Sequence, residues 1–253
     1  MLHPNSREPA ARASIFVLRA GDPPPEVAAA HGVFADWIER AVGALWPGSW
    51  GVHELRGSDP LPSLVAAAGL VITGSASSVT ERAPWMLRAE GYVREAMQAG
   101  TPILGICFGH QLMAQALGGD VQRNPNGREM GTVELVRTGD DPLFESLPER
   151  LSVNASHVDA VVALPPGARV VAATKLDPHS AIDFGPAARG VQLHPEFDGD
   201  VMRGYLDARR AILAAEGLDA DAMRAGVSDT AEARELLRNF VRAFVLAPAR
   251  RAA

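Results

Sequence analysis

The sequence predicts an α/β fold: a mostly parallel central sheet held between two layers of helices, with more helices toward the C-terminal end. Two patterns carry this reading. Short β-branched runs alternate with longer helical stripes through the first half, as expected of a parallel sheet covered on both faces. One apolar strand then enters a helix directly through a glycine-flanked cysteine. This puts a reactive group at the carboxyl end of a strand, where ligands of such sheets bind.

The elements follow in order. Ile15 to Leu18 is a short β-branched and aromatic run, read as a buried first strand. Arg19 to Pro25 is a Gly- and Pro-rich loop. From Glu26 to Leu45 the residues Val27, Phe34, Trp37, Ile38, Val42 and Leu45 fall largely on one helical stripe, so a single helix is expected. Gly51 to Leu55 and Gly69 to Ile72 read as strands, the latter ending in the small-residue loop Thr73 to Ser78. Pro84 suits a first helical turn and opens a helix to about Ala99. Thr101 to Ile106 is the next strand and Gly109 to Leu117 the helix after it.

The second half is richer in strands. Thr132 to Arg137, Leu151 to Ala155, Ala160 to Leu164, Arg169 to Thr174 and Ala181 to Phe184 all fit, and a last strand from Gly190 to Leu193 leads into His194-Pro195-Glu196. Helices are expected from Asp200 to Ala215 and from Ala231 to Val245, joined by a solvated acidic loop between Asp219 and Asp229. The stripe Leu236, Leu237, Phe240 and Phe244 reads as core packing, and the end from Pro248 to Ala253 as frayed. With no internal repeat, the economical division is a tail at 1–13, one main domain at 14–198 and a helical extension at 199–253.

Composition bounds the function. At 253 residues, 47% hydrophobic and 21% charged, the chain can bury a substantial core. A formal net charge of -6 and a pI near 5.6 argue against a nucleic-acid or anionic-membrane partner. The single cysteine excludes an intramolecular disulfide, and Ser14 to Leu18 is too short for a signal or membrane-spanning segment. A cytoplasmic location is the default expectation.

The chemistry concentrates in two segments. In Gly105-Ile106-Cys107-Phe108-Gly109-His110-Gln111 the cysteine occupies a strand-to-helix turn, the sulfur counterpart of the G-x-S-x-G elbow. The flanking glycines are expected to permit a tight, strained backbone. The helix N-terminus favours thiolate over thiol, and the Phe108 N–H is placed to meet an oxyanion. In Gln192-Leu193-His194-Pro195-Glu196-Phe197, residues two apart along an extended segment share a face, so Glu196 can orient and charge the His194 ring. A lone cysteine is more often a small core residue, and a His-x-Glu pair is often structural. It is their pairing across one parallel sheet that points to a nucleophile and its base. His110, His157 and His194 do not suggest a metal site, because no Cys, Asp or Glu spacing matches them.

G-x-C-x-G-H-Q together with H-P-E resembles the class I, triad-type glutamine amidotransferases. More narrowly, the chain is similar to stand-alone proteins related to the amidotransferase domain of GMP synthase. The similarity extends to Leu18-Arg19-Ala20-Gly21-Asp22-Pro23-Pro24, the Ile72-Thr73-Gly74-Ser75 loop and Ser156-His157-Val158-Asp159. The resemblance implies a flavodoxin-like amidotransferase fold and a cysteine amidase with Cys107, His194 and Glu196 as catalytic triad. It implies an oxyanion hole from the Gly74 and Phe108 N–H groups, and a substrate pocket lined by Gln111, Ser156 and His157. It implies neither cofactor nor metal. The loop after Gly74 departs from the G-G-P-x-S form frequent in fused amidotransferases and reads Gly74-Ser75-Ala76-Ser77-Ser78.

Three functions fit these residues: a glutaminase passing ammonia to a separate synthetase chain, a γ-glutamyl peptidase, and a non-catalytic binding or regulatory protein. The intact triad argues against the third. Neither S-G-G-x-D-S nor G-x-x-x-x-G-K-[ST] occurs, so ATP activation of an acceptor would fall to a partner.

Overall fold

The computed structural model describes residues 14–247; the expected tail at 1–13 and the frayed end from Pro248 lie outside the described residues. The first half runs β1 (Ser14–Arg19), α1 (Pro25–His31), α2 (Phe34–Val42), β2 (Ser49–Glu54), β3 (Ala67–Ile72), α3 (Pro84–Ala99), β4 (Ile103–Ile106) and α4 (Phe108–Ala116). Seven strands follow: β5 (Asp120–Arg123), β6 (Glu129–Arg137), β7 (Arg150–His157), β8 (Asp159–Ala163), β9 (Arg169–Ala173), β10 (Ala181–Gly185) and β11 (Ala188–Val191). The chain then forms α5 (Gly199–Ala208), α6 (Arg210–Ala215), α7 (Ala220–Ala225) and α8 (Arg234–Phe240).

Nine strands build one sheet in the order β2-β1-β3-β4-β11-β10-β9-β6-β7. Every neighbouring pair from β2 to β11 is parallel, as the alternation of the first half predicts. Beyond β11 each pair is antiparallel, so only β10 and β6 run against the others. The strand expected at Ala160 to Leu164 is β8, which leaves the main sheet to form a two-stranded ribbon with β5. β5 corresponds to none of the expected strands.

Strand alternation sorts the core onto two faces. Ile15, Val17, Val71 and Leu104 pack on one side with Ile38 of α2 and with Leu236, Leu237, Phe240 and Phe244. Leu18, Leu70, Ile72 and Ile103 pack on the other with Met86 and Val93 of α3 and Phe108 and Leu112 of α4. Burying each such side chain contributes about 1.5–3 kcal/mol, which makes these two layers the main source of stability. The 236–244 stripe is core, as its spacing predicts.

Three expected elements are divided differently. The single helix at 26–45 is two, because Gly32 ends α1 at a φ of 88° and the Asp36 carboxylate caps the next start by accepting the Val33 N–H. The helix expected at 200–215 breaks at Arg209 into α5 and α6. The acidic stretch is not all loop. Asp219 accepts the N–H groups of Asp221 and Ala222 and starts α7, so its carboxylate acts as a helix cap.

No helix among the described residues is long and apolar enough to cross a membrane.

Candidate active site

The carboxyl ends of β3, β4 and β11 meet where Cys107 sits. Cys107 joins β4 to α4 with φ 51° and ψ -103°, so the strained residue of the turn is the cysteine itself. The flanking glycines permit this turn without sharing its strain: neither Gly105 nor Gly109 has a positive φ. Their role is close approach. A Cβ on Gly105 would lie 2.5 Å from the Gly109 backbone, and one on Gly109 would lie 2.5 Å from the Ile72 carbonyl oxygen. The helix is thus pressed against β3 and β4, and the cysteine N–H is anchored to the Val191 carbonyl oxygen at 2.8 Å. Gly109→Ala is expected to cost about 3 kcal/mol or more, at the upper end of overpacking penalties because backbone must move. A lowered urea midpoint checks this.

Phe108 is the first residue of α4, so its N–H is not consumed by the helix ladder. The Sγ of Cys107 lies 3.9 Å from the Ser156 carbonyl oxygen. Cys107 and His194 line the same narrow recess.

His194 is held by a turn rather than by an extended strand. β11 ends at Val191, and the Phe197 N–H donates to the His194 carbonyl at 3.2 Å across Pro195 and Glu196. Proline at the second position of such a turn has its φ already set. The turn carries Glu196 Oε1 to 2.8 Å from His194 Nδ1, with both side chains buried. The shared face inferred from extended geometry is therefore made by a turn. The His194 N–H reaches the Asn154 carbonyl on β7, and Phe197 stacks on the imidazole with centroids 4.1 Å apart. Gly74 closes the other side, since a Cβ there would lie 2.9 Å from His194 Cε1.

The electrostatics couple the two residues. Burial works against charge on His194, but Glu196 and the Cys107 sulfur hold its proton, raising its pKa to about 10. Burial alone would push the Cys107 thiol up, but the His194 imidazolium outweighs it and His157 adds to the effect, leaving the thiol below its ordinary value. The arrangement favours a thiolate–imidazolium pair inside protein, with Glu196 bonded to the imidazole.

A second, wider cavity of about 390 Å³, within the ordinary range for small-molecule sites, opens beside the sulfur. Phe108, Gln111, Ser156 and His157 line it with Cys107, so the structure gathers these expected residues in one place. Gly74 abuts the histidine, and its neighbours Ser75 and Ala76 line the cavity. Gln111 Nε2 donates to the Asp159 carbonyl at 2.8 Å and to Gln192 Oε1 at 3.0 Å, so both its hydrogens are used. Both ring nitrogens of His157 are also taken, Nδ1 by the Asp159 carbonyl at 2.9 Å and Nε2 by Glu129 Oε2 at 3.1 Å. Two acceptors require two N–H donors, hence an imidazolium. Burial opposes that charge, yet the bond to Glu129 raises the pKa. His157 therefore presents positive charge to the cavity rather than a free ring nitrogen.

His110 turns away from this chemistry. It is fully buried on α4 against Gly190, and burial lowers its pKa to about 3. Among the described residues no group of three or more His, Cys, Asp or Glu is placed to hold a metal ion. Glu129, Arg209 and Tyr205 reach the site from distant segments and belong to no local sequence pattern. Gln192 and Phe197 lie within the His194 segment itself, so their nearness to the site was accessible.

The family description glutamine amidotransferase class-I matches residues 54–209, a span holding Cys107, His194 and Glu196. Among curated relatives, the glutamine-hydrolysing GMP synthase of Aeropyrum pernix is 40% identical over 134 residues, 53% of this chain and 25% of that protein. The enzyme of the same name from Streptomyces coelicolor is 37% identical over 159 residues, 62% of this chain and 28% of that protein. The chain thus spans about a quarter of the length of these relatives. A glutamine amidotransferase structure from Thermotoga maritima superposes with a TM-score of 0.73 at 24% identity, over 92% of this chain and 98% of that one. A glutamine amidotransferase structure from Methylobacillus flagellatus gives 0.65 at 20% identity, over 92% and 95%. At these identities the structural likeness speaks for the fold.

Proposed function

The chain belongs to the class-I glutamine amidotransferase family, and from that premise we propose that it hydrolyses the γ-amide of glutamine, or a γ-glutamyl amide, through a γ-glutamyl thioester on Cys107. The observation that carries this reading is the buried Cys107–His194–Glu196 constellation, built at a strand-to-helix elbow beside a polar cavity. The Cys107 thiolate attacks the amide carbon, and the carbonyl electrons move to oxygen. That oxyanion takes hydrogen bonds from the Phe108 and Gly74 N–H groups. Collapse breaks the C–N bond as the His194 imidazolium gives its proton to the leaving amine. Water, deprotonated by His194, then attacks the thioester, releasing the carboxylic acid and restoring the thiolate. Gln111 and Ser156 edge the amino-acid end of the substrate, while His157 acts there through its charge. In this reading residues 14–198 form the amidotransferase domain, and the helices from 199 onward are an extension that adds to one side of the cavity.

Two leaving amines are in play: ammonia destined for a separate synthetase chain, as the names of the GMP synthase relatives suggest, or the amine of a γ-glutamyl conjugate. Both use the same Cys107–His194–Glu196 machinery assembled within this chain, so turnover by the isolated protein is what separates them. The isolated protein is expected to release ammonia from glutamine measurably. It should also cleave at least one of γ-glutamylglycine and γ-glutamylanilide at least as fast. A folded chain that is labelled at Cys107 but inert on all three would instead indicate a chain gated by its synthetase.

A further inference from the structure

Arg209 stands at the break between α5 and α6, at the edge of both the wide cavity and the narrow recess that holds Cys107 and His194. The arginines around it are all committed. Arg203 pairs with Asp200, Arg210 with Asp207 and Asp221, Arg224 with Asp207, and Arg128 with Glu216. Arg209 forms no ion pair among the described residues, and its Nε is buried without a hydrogen-bond partner. Asp22, the carboxylate that shares the recess, is already engaged by Arg56 at 2.7 Å and Arg19 at 3.5 Å. The guanidinium carbon lies 5.8 Å from the centre of the Tyr205 ring, and Tyr205 packs on Phe197, the residue stacked on His194. The guanidinium thus borders the recess that holds Cys107 and His194, with donors to spare.

An unpaired guanidinium at the mouth of a polar cavity is a receptor for a planar anion, because its donors match two carboxylate oxygens at once. The buried, unsatisfied Nε–H adds to this, since binding an acceptor removes a standing desolvation cost. The same cavity carries the opposite charge at Glu81 and Asp159, which hold the Ser78 N–H and hydroxyl. One unpaired cation and two carboxylates in a single cavity match the charges of a free amino acid, whose carboxylate and ammonium would each find a counterpart.

We propose that Arg209 is a substrate-binding residue that holds a carboxylate of the γ-glutamyl substrate; this deepens the amidase reading and rests on it. Two carboxylates qualify, the α-carboxylate of the glutamyl unit and the carboxylate of a leaving amino acid. Timed intact-mass labelling of the lone cysteine separates them from each other and from failure of the amidase reading. The probes are a diazoketone analogue of glutamine, which keeps the α-carboxylate, and iodoacetamide, which has none. If the α-carboxylate is held, Arg209→Gln should slow labelling by the analogue roughly 10- to 100-fold, the worth of a charge-assisted pair. Iodoacetamide labelling should be unchanged, which also checks the fold, and Arg209→Lys should recover part of the loss. If the leaving carboxylate is held, the analogue is unaffected and only kcat/KM for γ-glutamylglycine falls, with γ-glutamylanilide unchanged. Equal behaviour of wild type and Arg209→Gln toward every probe and substrate would overturn the proposal. A wild-type chain labelled by iodoacetamide but not by the analogue would overturn the amidase reading and this inference with it.

Discussion

Cys107→Ala is expected to lower amide hydrolysis by roughly 10⁴-fold or more, in line with the loss of a nucleophile from a coupled triad. It should also abolish covalent labelling by a glutamine-like electrophile. Because the chain has one cysteine, a single mass shift on the intact protein reports the site without digestion. The pH dependence sharpens the test. An ordinary thiol reacts appreciably only as pH nears about 8.5. Cys107 is held below its ordinary value by the His194 imidazolium, so labelling should set in at lower pH than for an ordinary thiol. Labelling should rise as pH climbs through the lowered thiol pKa. Turnover should fall again where His194 gives up its proton, at about 10. A buried inert thiol predicts neither rapid labelling nor a low-lying acid limb. Substantial hydrolysis by Cys107→Ala would remove the thioester route altogether.

The parts of this site that could be read from the sequence are those encoded by neighbours in the chain. Cys107 and its glycines lie within five residues, and His194 and Glu196 within three, so residue type and spacing suffice to find them. Their geometry was less accessible. Glycine beside a turn suggests a positive φ, yet at this elbow the glycines serve a contact between α4 and the strands, and Cys107 takes the strained backbone. That depends on how closely the helix approaches Ile72, which no local pattern records. The His194–Glu196 bond was expected for the wrong local reason, because a strand end and a proline turn both bring residues two apart together. The same limit explains the fold. Apolar periodicity located the parallel core and the stripe at 236–244, but helix breaks at Gly32 and Arg209 are compatible with an uninterrupted stripe. Glu129 behind His157, and Arg209 at the cavity mouth, depend wholly on tertiary placement.

Glu196→Gln is the most discriminating substitution for the remaining machinery. The carboxylate accepts the Nδ1–H of His194 at 2.8 Å and so fixes the tautomer whose Nε2 is free to take the Cys107 proton. Glutamine is nearly isosteric but can donate to Nδ1, which places the proton on Nε2 and disables the base. It also removes the charge that stabilises the imidazolium. A loss of roughly 10²- to 10⁴-fold in kcat is expected, with less effect on KM. The alkaline limb of the rate–pH profile should move to lower pH, because without the carboxylate His194 surrenders its proton earlier. His194→Ala should cost nearly as much as removing the nucleophile. It also strands Glu196, whose Oε2 is buried without a partner, and breaking a buried pair in this way destabilises by about 3–5 kcal/mol. His194→Gln, which can still donate to the carboxylate, is therefore the cleaner test of the base, with an unfolding curve run beside the kinetics. Neither Asp159 nor Asp198 bonds to His194, whose Nδ1 is taken by Glu196. Asp198 caps α5 by accepting the Val201 N–H, and Asp159 receives the Ser78 hydroxyl. Full activity in Glu196→Gln with an unmoved alkaline limb would mean that His194 acts without a carboxylate partner, and the triad would reduce to a dyad.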